Sequence, residues 1–211
     1  MSNKVIHCFL TNKLFSCNVY LLSTKKGNIL VDAWFFDEEI NKKIRAVWWL
    51  DAIILTHGHW DHIRSIDSYT SEFPWAKVYI HKEDSPLLTD TKLNCSFLVW
   101  TEAIQIKSNV SLLDEWIFTI WWYDIELIHT PWHTYWCSMY YFKDENILFS
   151  WDMILETSIW TLNTSTGNIE KMKASIKKIK ELDIPHNTLV YPGHWEVLTF
   201  WEILKLNPYF S

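Results

Sequence analysis

Glycine is nearly missing. Average usage of about 7% would give a chain of this length about 15 glycines, and its 211 residues include four. Turns and close backbone approaches are where glycine is used, so this chain lacks the residue that normally makes them. Long apolar runs are also missing: none approaches the ~18 residues of a membrane-spanning helix, which excludes an interaction of that kind with a membrane. The opening Met1-Ser2-Asn3-Lys4-Val5-Ile6-His7-Cys8 has no extended apolar core and no small-residue cleavage site, so no signal peptide is expected. The four cysteines, Cys8, Cys17, Cys95 and Cys137, form no CxxC pair. That excludes a dense disulfide framework, and reduced thiols in a cytoplasmic protein are expected. Positive charge is not in excess either. A net charge of −6 and a pI near 5.8 argue against nucleic acid or an anionic membrane as the partner. With 49% hydrophobic and 21% charged residues, the composition is that of a folded protein, and one domain over residues 1–211 is expected.

Tryptophan is in excess where glycine is short. There are fifteen, and the two residue types together restore an ordinary glycine count. Their positions agree. Trp48-Trp49 and Trp121-Trp122 are doublets where turns are expected, Trp34 follows Val31-Asp32-Ala33, Trp151 separates an apolar run from Asp152, and Trp195 follows Pro192-Gly193-His194. A side chain forced into the left-handed backbone region costs roughly 1–2 kcal/mol, so ten such sites would consume the ~5–15 kcal/mol stability of a domain. Most of these tryptophans are therefore expected to be glycines in the native protein, from a gene whose UGA codons mean glycine. The competing reading is an aromatic-rich binder of carbohydrate or of a membrane interface.

Strands are expected over residues 4–10, 17–23 and 28–33, with a hairpin turn at Lys25–Asn28, and Asp37 caps a short helix to about Ala46. Further strands are read at 51–56 and 77–81, a helical turn at 82–89 and a less regular stretch to about Ile106. The second half gives strands near 117–120, 123–129, 137–142 and 146–150, then a helix over 168–182. There Ile169, Met172, Ile176, Ile179 and Leu182 recur at helical spacing, with lysines between them forming a solvated face. A strand at 188–191 and a helix at 199–206 complete the chain. Two sets of strands, each followed by helices, predict an α/β fold, a four-layered αββα sandwich of two mixed β-sheets flanked by helices.

The strand over 51–56 runs into His57-Gly58-His59-Trp60-Asp61-His62, four metal-competent side chains in six residues. Imidazole with carboxylate suits zinc, iron or another borderline divalent metal, and the lack of cysteine in the cluster argues against a closed structural zinc site. Four close donors divide naturally between two ions, His57 with His59 and Asp61 with His62. His133, Asp152 and His194 each follow an apolar run, where loops gather at the rim of a sheet, and are candidate partners.

This series of residues resembles the metallo-β-lactamase fold hydrolases, from about Val31 to the end of the chain. With tryptophan read as glycine, Val31–Trp34, Thr130–Thr134, Ser150–Asp152 and Pro192–Trp195 match the loops of that superfamily. The stretch from Ser150 to Thr161 and the ending Tyr191–Phe210 resemble its glyoxalase II-like branch. The resemblance implies a first metal held by His57, His59 and His133, a second held by Asp61, His62 and His194, and Asp152 bridging them. It makes Asp32 an outer residue that orients the ligand loop, and leaves His81 and His129 as structural residues. The implied cofactor is two divalent ions, zinc first, with iron or manganese as alternatives. The implied activity is hydrolysis of a small thioester or ester, hydroxyacylglutathione hydrolase-like, by a metal-activated hydroxide, with Asp61 and Asp152 as the catalytic carboxylates. Longer members carry a helical C-terminal domain that contacts glutathione; this chain is expected to lack it, and Thr161 stands where an arginine is common. Cys137 is not the cysteine ligand of true β-lactamases, since His133 fills the corresponding loop, so β-lactamase activity is not expected. A mononuclear-iron persulfide dioxygenase of the same superfamily is the alternative, and a binding module with vestigial metals is a further one.

Overall fold

Short apolar strands, each closed by a turn or a capped helix, account for most of the chain. A computed structural model describes residues 4–9, 17–98, 103–114, 116–134, 136–159 and 167–210. It divides into two compact units, residues 1–114 with 119–123, and residues 115–118 with 124–211.

The first unit begins with strands β1 (Val5–Phe9), β2 (Val19–Thr24) and β3 (Gly27–Val31). Thr24 pairs with Gly27 across a two-residue Lys25-Lys26 turn. Gly27 has φ +147°, and a Cβ there would lie 2.9 Å from Asp51 Oδ2, so this turn requires glycine. Helix α1 (Glu38–Ala46) is capped by Asp37, whose side chain accepts from the Glu39 amide. Then follow β4 (Ala52–Ile54), α2 (Trp60–Ile63), α3 (Ile66–Glu72), β5 (Lys77–His81) and β6 (Val110–Leu113). The sheet order is β1-β2-β3-β4-β5-β6. Pairing is antiparallel from β1 to β3 and parallel from β3 to β6. Leu21, Leu30, Ile53, Leu55, Ile63 and Tyr69 are among the buried residues that join this sheet to its helices.

The second sheet is built from β7 (Ile117–Ile120), β8 (Tyr123–His129), β9 (Ser138–Phe142), β10 (Ile147–Phe149), β11 (Leu189–Tyr191) and β12 (Leu198–Thr199). Helix α4 (Ile169–Lys180) lies between β10 and β11 in sequence, and α5 (Phe200–Leu206) follows β12. The order is β12-β11-β10-β9-β8-β7. Strands β10 and β11 pair in parallel; β8, β9 and β10 are antiparallel, as are β11 and β12. The Asn168 side chain caps α4 by accepting from the amides of Glu170 and Lys171. Thr199 and Glu202 form a reciprocal capping box on α5. Ile128, Met139, Leu148, Val190 and Phe200 form the centre of this unit's core.

Both sheets are mixed, as expected from the sequence, and the α/β class holds. Several details differ. Helices α2 and α3 and strand β6 were not expected. Of the apolar face read for α4, Ile169 is 49% exposed; it sits in the first turn, and burial begins with Ser175 and Ile179. Leu10, at the end of the first expected strand, and Trp160 with Thr161, part of the glyoxalase II-like stretch, lie outside the described residues. No cysteine is in a disulfide, and no helix among the described residues is long and apolar enough to cross a membrane.

Candidate metal centre

In the first unit, the parallel pairing of Val31 with Ile54 puts the ends of β3 and β4 side by side. Asp32, just beyond β3, adopts φ +57° and turns a fully buried carboxylate towards the chain leaving β4. It accepts from the Thr56 amide at 2.9 Å, from Thr56 Oγ1 at 2.8 Å and from His62 Nδ1 at 2.5 Å. A carboxylate on Nδ1 fixes the imidazole tautomer and leaves Nε2 as the lone-pair nitrogen, the arrangement of a metal-ligating histidine. Burial pushes the Asp32 carboxyl upward, while His62 and Thr56 pull it down.

His57 and His59 are buried, and Nε2 of the first lies 3.1 Å from Nδ1 of the second. Two nitrogens bound at about 2.0–2.1 Å to one tetrahedral ion lie about 3.3 Å apart, so this pair is already at the spacing of two ligands on one ion. The other nitrogen of His57 meets Thr56 Oγ1 at 3.2 Å. Asp61 Oδ2 lies 3.7 Å from His62 Nε2. The four residues thus lie as two close donor pairs, His57 with His59 and Asp61 with His62. Gly58 lets the loop pass: a Cβ there would lie 2.4 Å from Leu87 Cβ, and its amide donates to Asp84 Oδ2 at 3.3 Å.

In the second unit, Phe149 pairs with Tyr191, and Asp152 and His194 each lie three residues beyond. The equal offset brings the two loops to one edge. The Asp152 carboxylate divides its oxygens: Oδ2 is 3.1 Å from His133 Nε2, and Oδ1 is 3.6 Å from His194 Nε2. Asp152 is 1% exposed and His133 2%. A buried carboxylate that offers one oxygen to each of two imidazoles has the geometry of a bridging ligand. Gly193 fits closely against it, since a Cβ would lie 2.7 Å from Asp152 Oδ1. Gly193→Ala is therefore expected to displace the carboxylate and weaken metal binding about 10–100-fold, the range for disturbed support of a ligand. Titration of the metal-free protein with zinc, followed by calorimetry, measures it.

All seven residues expected as ligands are placed in this way, four in the first unit and three in the second. The donors are nitrogen and oxygen, mostly buried and close to one another within each unit, and this chemistry fits divalent zinc, iron or manganese. His129 instead stacks on Trp136 with ring centroids 3.6 Å apart. Burial and the neighbouring Lys82 push His81 down to about 4, against Asp114, and its Nδ1 accepts from the Glu83 amide. Sequence reading missed Thr56, which holds both Asp32 and His57, and Cys17, whose Sγ donates to the Asp61 carbonyl at 2.8 Å. Burial pushes the Cys17 thiol up to about 12, so it stays a donor. Thr56 could have been found from its place between the strand and the first histidine; Cys17 carries no local signal.

A family model described as the metallo-beta-lactamase superfamily matches residues 12–194. A probable metallo-hydrolase of Bacillus subtilis is 29% identical over 179 residues, 84% of this chain and 84% of its own. A hydroxyacylglutathione hydrolase of Francisella tularensis subsp. novicida is 26% identical over 189 residues, 88% of this chain and 65% of its own. Among solved structures, the BLEG-1 B3 metallo-beta-lactamase is similar with a TM-score of 0.88 and 27% identity, covering 98% of this chain and 100% of that one. The TTHA1623 protein, solved in a di-iron-bound form, is similar with a TM-score of 0.81 and 25% identity, covering 95% and 98%.

Proposed function

The chain belongs to the metallo-beta-lactamase superfamily, and from that premise we propose that it is a dinuclear metallo-hydrolase acting on a small thioester or ester. The observation that carries this reading is the divided Asp152 carboxylate, with one oxygen towards His133 and the other towards His194. A carboxylate so placed serves two ions, and residues 57–62 offer two donor pairs to match. In this reading His57, His59 and His133 hold one ion, Asp61, His62 and His194 hold the other, and Asp152 is common to both. Two such ions would supply a water acidified from a pKa of 15.7 towards about 7 and a Lewis-acidic seat for a carbonyl oxygen.

The protein's own groups do the rest. Asp32 holds His62 in the ligating tautomer, and Thr56 holds Asp32 and His57 in place. Asp61, whose side chain is 14% exposed, is the carboxylate positioned to take a proton from the attacking water and pass it to solvent. A thioester suits this centre because a thiolate leaves without a strong general acid. The hydroxyacylglutathione hydrolase relative supports that substrate class. The two halves of the chain act as one domain in this reading, in the cytoplasm, on small molecules and not on nucleic acid.

The di-iron-bound form of TTHA1623 keeps iron beside zinc as a metal for the two-ion centre, and a persulfide dioxygenase with a single iron is the alternative reading. Metal analysis of the purified protein together with assays on S-lactoylglutathione-type thioesters and on glutathione persulfide separates the two. About two ions per chain with thioester turnover is the expected result. One iron with oxygen consumption on the persulfide would replace it with the second reading, and a folded chain with neither would overturn both.

A further inference from the structure

Among the described residues, seven other than glycine have φ in the left-handed region, and four of them are Trp48, Trp121, Trp151 and Trp195, at +79°, +54°, +43° and +66°. Asp32 and Asn146, also among the seven, are of the types that tolerate this region; a bulky aromatic there is an outlier. Tryptophan is 15 of 211 residues, so chance does not concentrate it in this way. Glycine adopts the same backbone without a Cβ clash.

The side chains agree with the backbone. Trp48 is 85% exposed and Trp121 63%, and Trp75, in the turn before β5, is 88% exposed. A large apolar side chain extended into water contributes nothing to burial. The opposite misfit occurs inside: Trp132 is fully buried, and its indole Nε1 has no hydrogen-bond partner among the described residues, although buried indole N–H groups ordinarily have one. An aromatic binding surface would account for exposure; it needs neither left-handed backbone nor a buried indole. Two of the four lie at the candidate metal loops. Trp151 precedes Asp152, and Trp195 follows His194.

We infer that Trp48, Trp121, Trp151 and Trp195 stand where the native chain carries glycine, their codons being UGA read as glycine by the organism that makes the protein. At positions 151 and 195 that glycine is a positioning residue: it lets the backbone turn so that Asp152 and His194 face one edge of the sheet.

Peptide mass spectrometry on the protein isolated from its own cells tests this at each position. The tryptic peptides 46–64, 144–171 and 181–205 carry positions 48, 151 and 195, and chymotryptic cleavage isolates position 121. Glycine at all four is expected, together with loss of the 280 nm absorbance of four of the fifteen tryptophans. Tryptophan at any of the four overturns the assignment. Thermal melting gives an independent readout on the exposed pair. Trp48→Gly with Trp121→Gly, made in a host that reads UGG as tryptophan, is expected to raise the melting temperature by at least about 2 °C. An equal or lower melting temperature would overturn the backbone argument.

Discussion

Asp152→Ala is expected to abolish paired metal binding and to lower turnover by more than about a hundredfold, the upper end of what losing a mere supporting residue costs. The expectation follows from the two contacts of one carboxylate. His133 and His194 approach different oxygens of Asp152, so in the proposed two-ion centre removing it would take a shared donor from both ions, whereas removing either histidine would take one. Substitution by asparagine keeps the shape but replaces one oxygen with an amide nitrogen that cannot ligate, and it is expected to spare one ion more than the other. Metal analysis and turnover on the same preparations check both variants. Full metal content in the alanine variant would exclude a bridging role.

The second large effect concerns stability. Asp32→Ala removes the acceptor for three buried donors, the Thr56 amide, Thr56 Oγ1 and His62 Nδ1. Unsatisfied buried donors cost about 1–3 kcal/mol each, and breaking a buried charged pair about 3–5 kcal/mol. A loss of about 3–5 kcal/mol is therefore expected in urea unfolding of the chelator-treated protein. Asp32→Asn separates support from chemistry. Its oxygen still accepts from Thr56, so most of the stability remains, but an amide facing His62 Nδ1 favours the tautomer with its proton on Nε2. That form cannot ligate, and metal affinity is expected to fall about 10–100-fold. Equal metal affinity in the asparagine variant would refute the tautomer argument.

The fold and the centre were legible in the sequence to different depths. The run from His57 to His62 was readable because its four donors fall within six residues, and the strand before it is a largely apolar stretch. His133, Asp152 and His194 were readable as candidates from their strand-end positions; their assignment to ions came from resemblance. Strand β6 left little pattern, since it lies at the sheet edge and Leu112 is 56% exposed. Helices α2 and α3 were hidden because α2 is a single turn whose residues include Asp61 and His62, which read as metal chemistry and not as a helical face. Cys17 lies 44 residues from Asp61 in sequence, and nothing local to either residue marks the contact. Ile169 misled in the other direction: its spacing fits the apolar face of α4, but the first turn of the helix extends beyond the core that would cover it.

The parallel pairing of β10 and β11 also sets rules for changes in chain length. Phe149 and Tyr191 are matched in register, and the residues Asp152 and His194 sit at the same count beyond them. Inserting or deleting one residue within 147–152 or 189–194 would turn a donor to the opposite side of its strand. The connection between β10 and β11 has no such arithmetic outside its helix, because only its two ends must meet the paired strands. Lengthening it costs loop-closure entropy that grows slowly, about 0.6 kcal/mol for each doubling. A library of insertions should therefore show two intolerant windows of fixed length, with permissive sites in the connection away from α4.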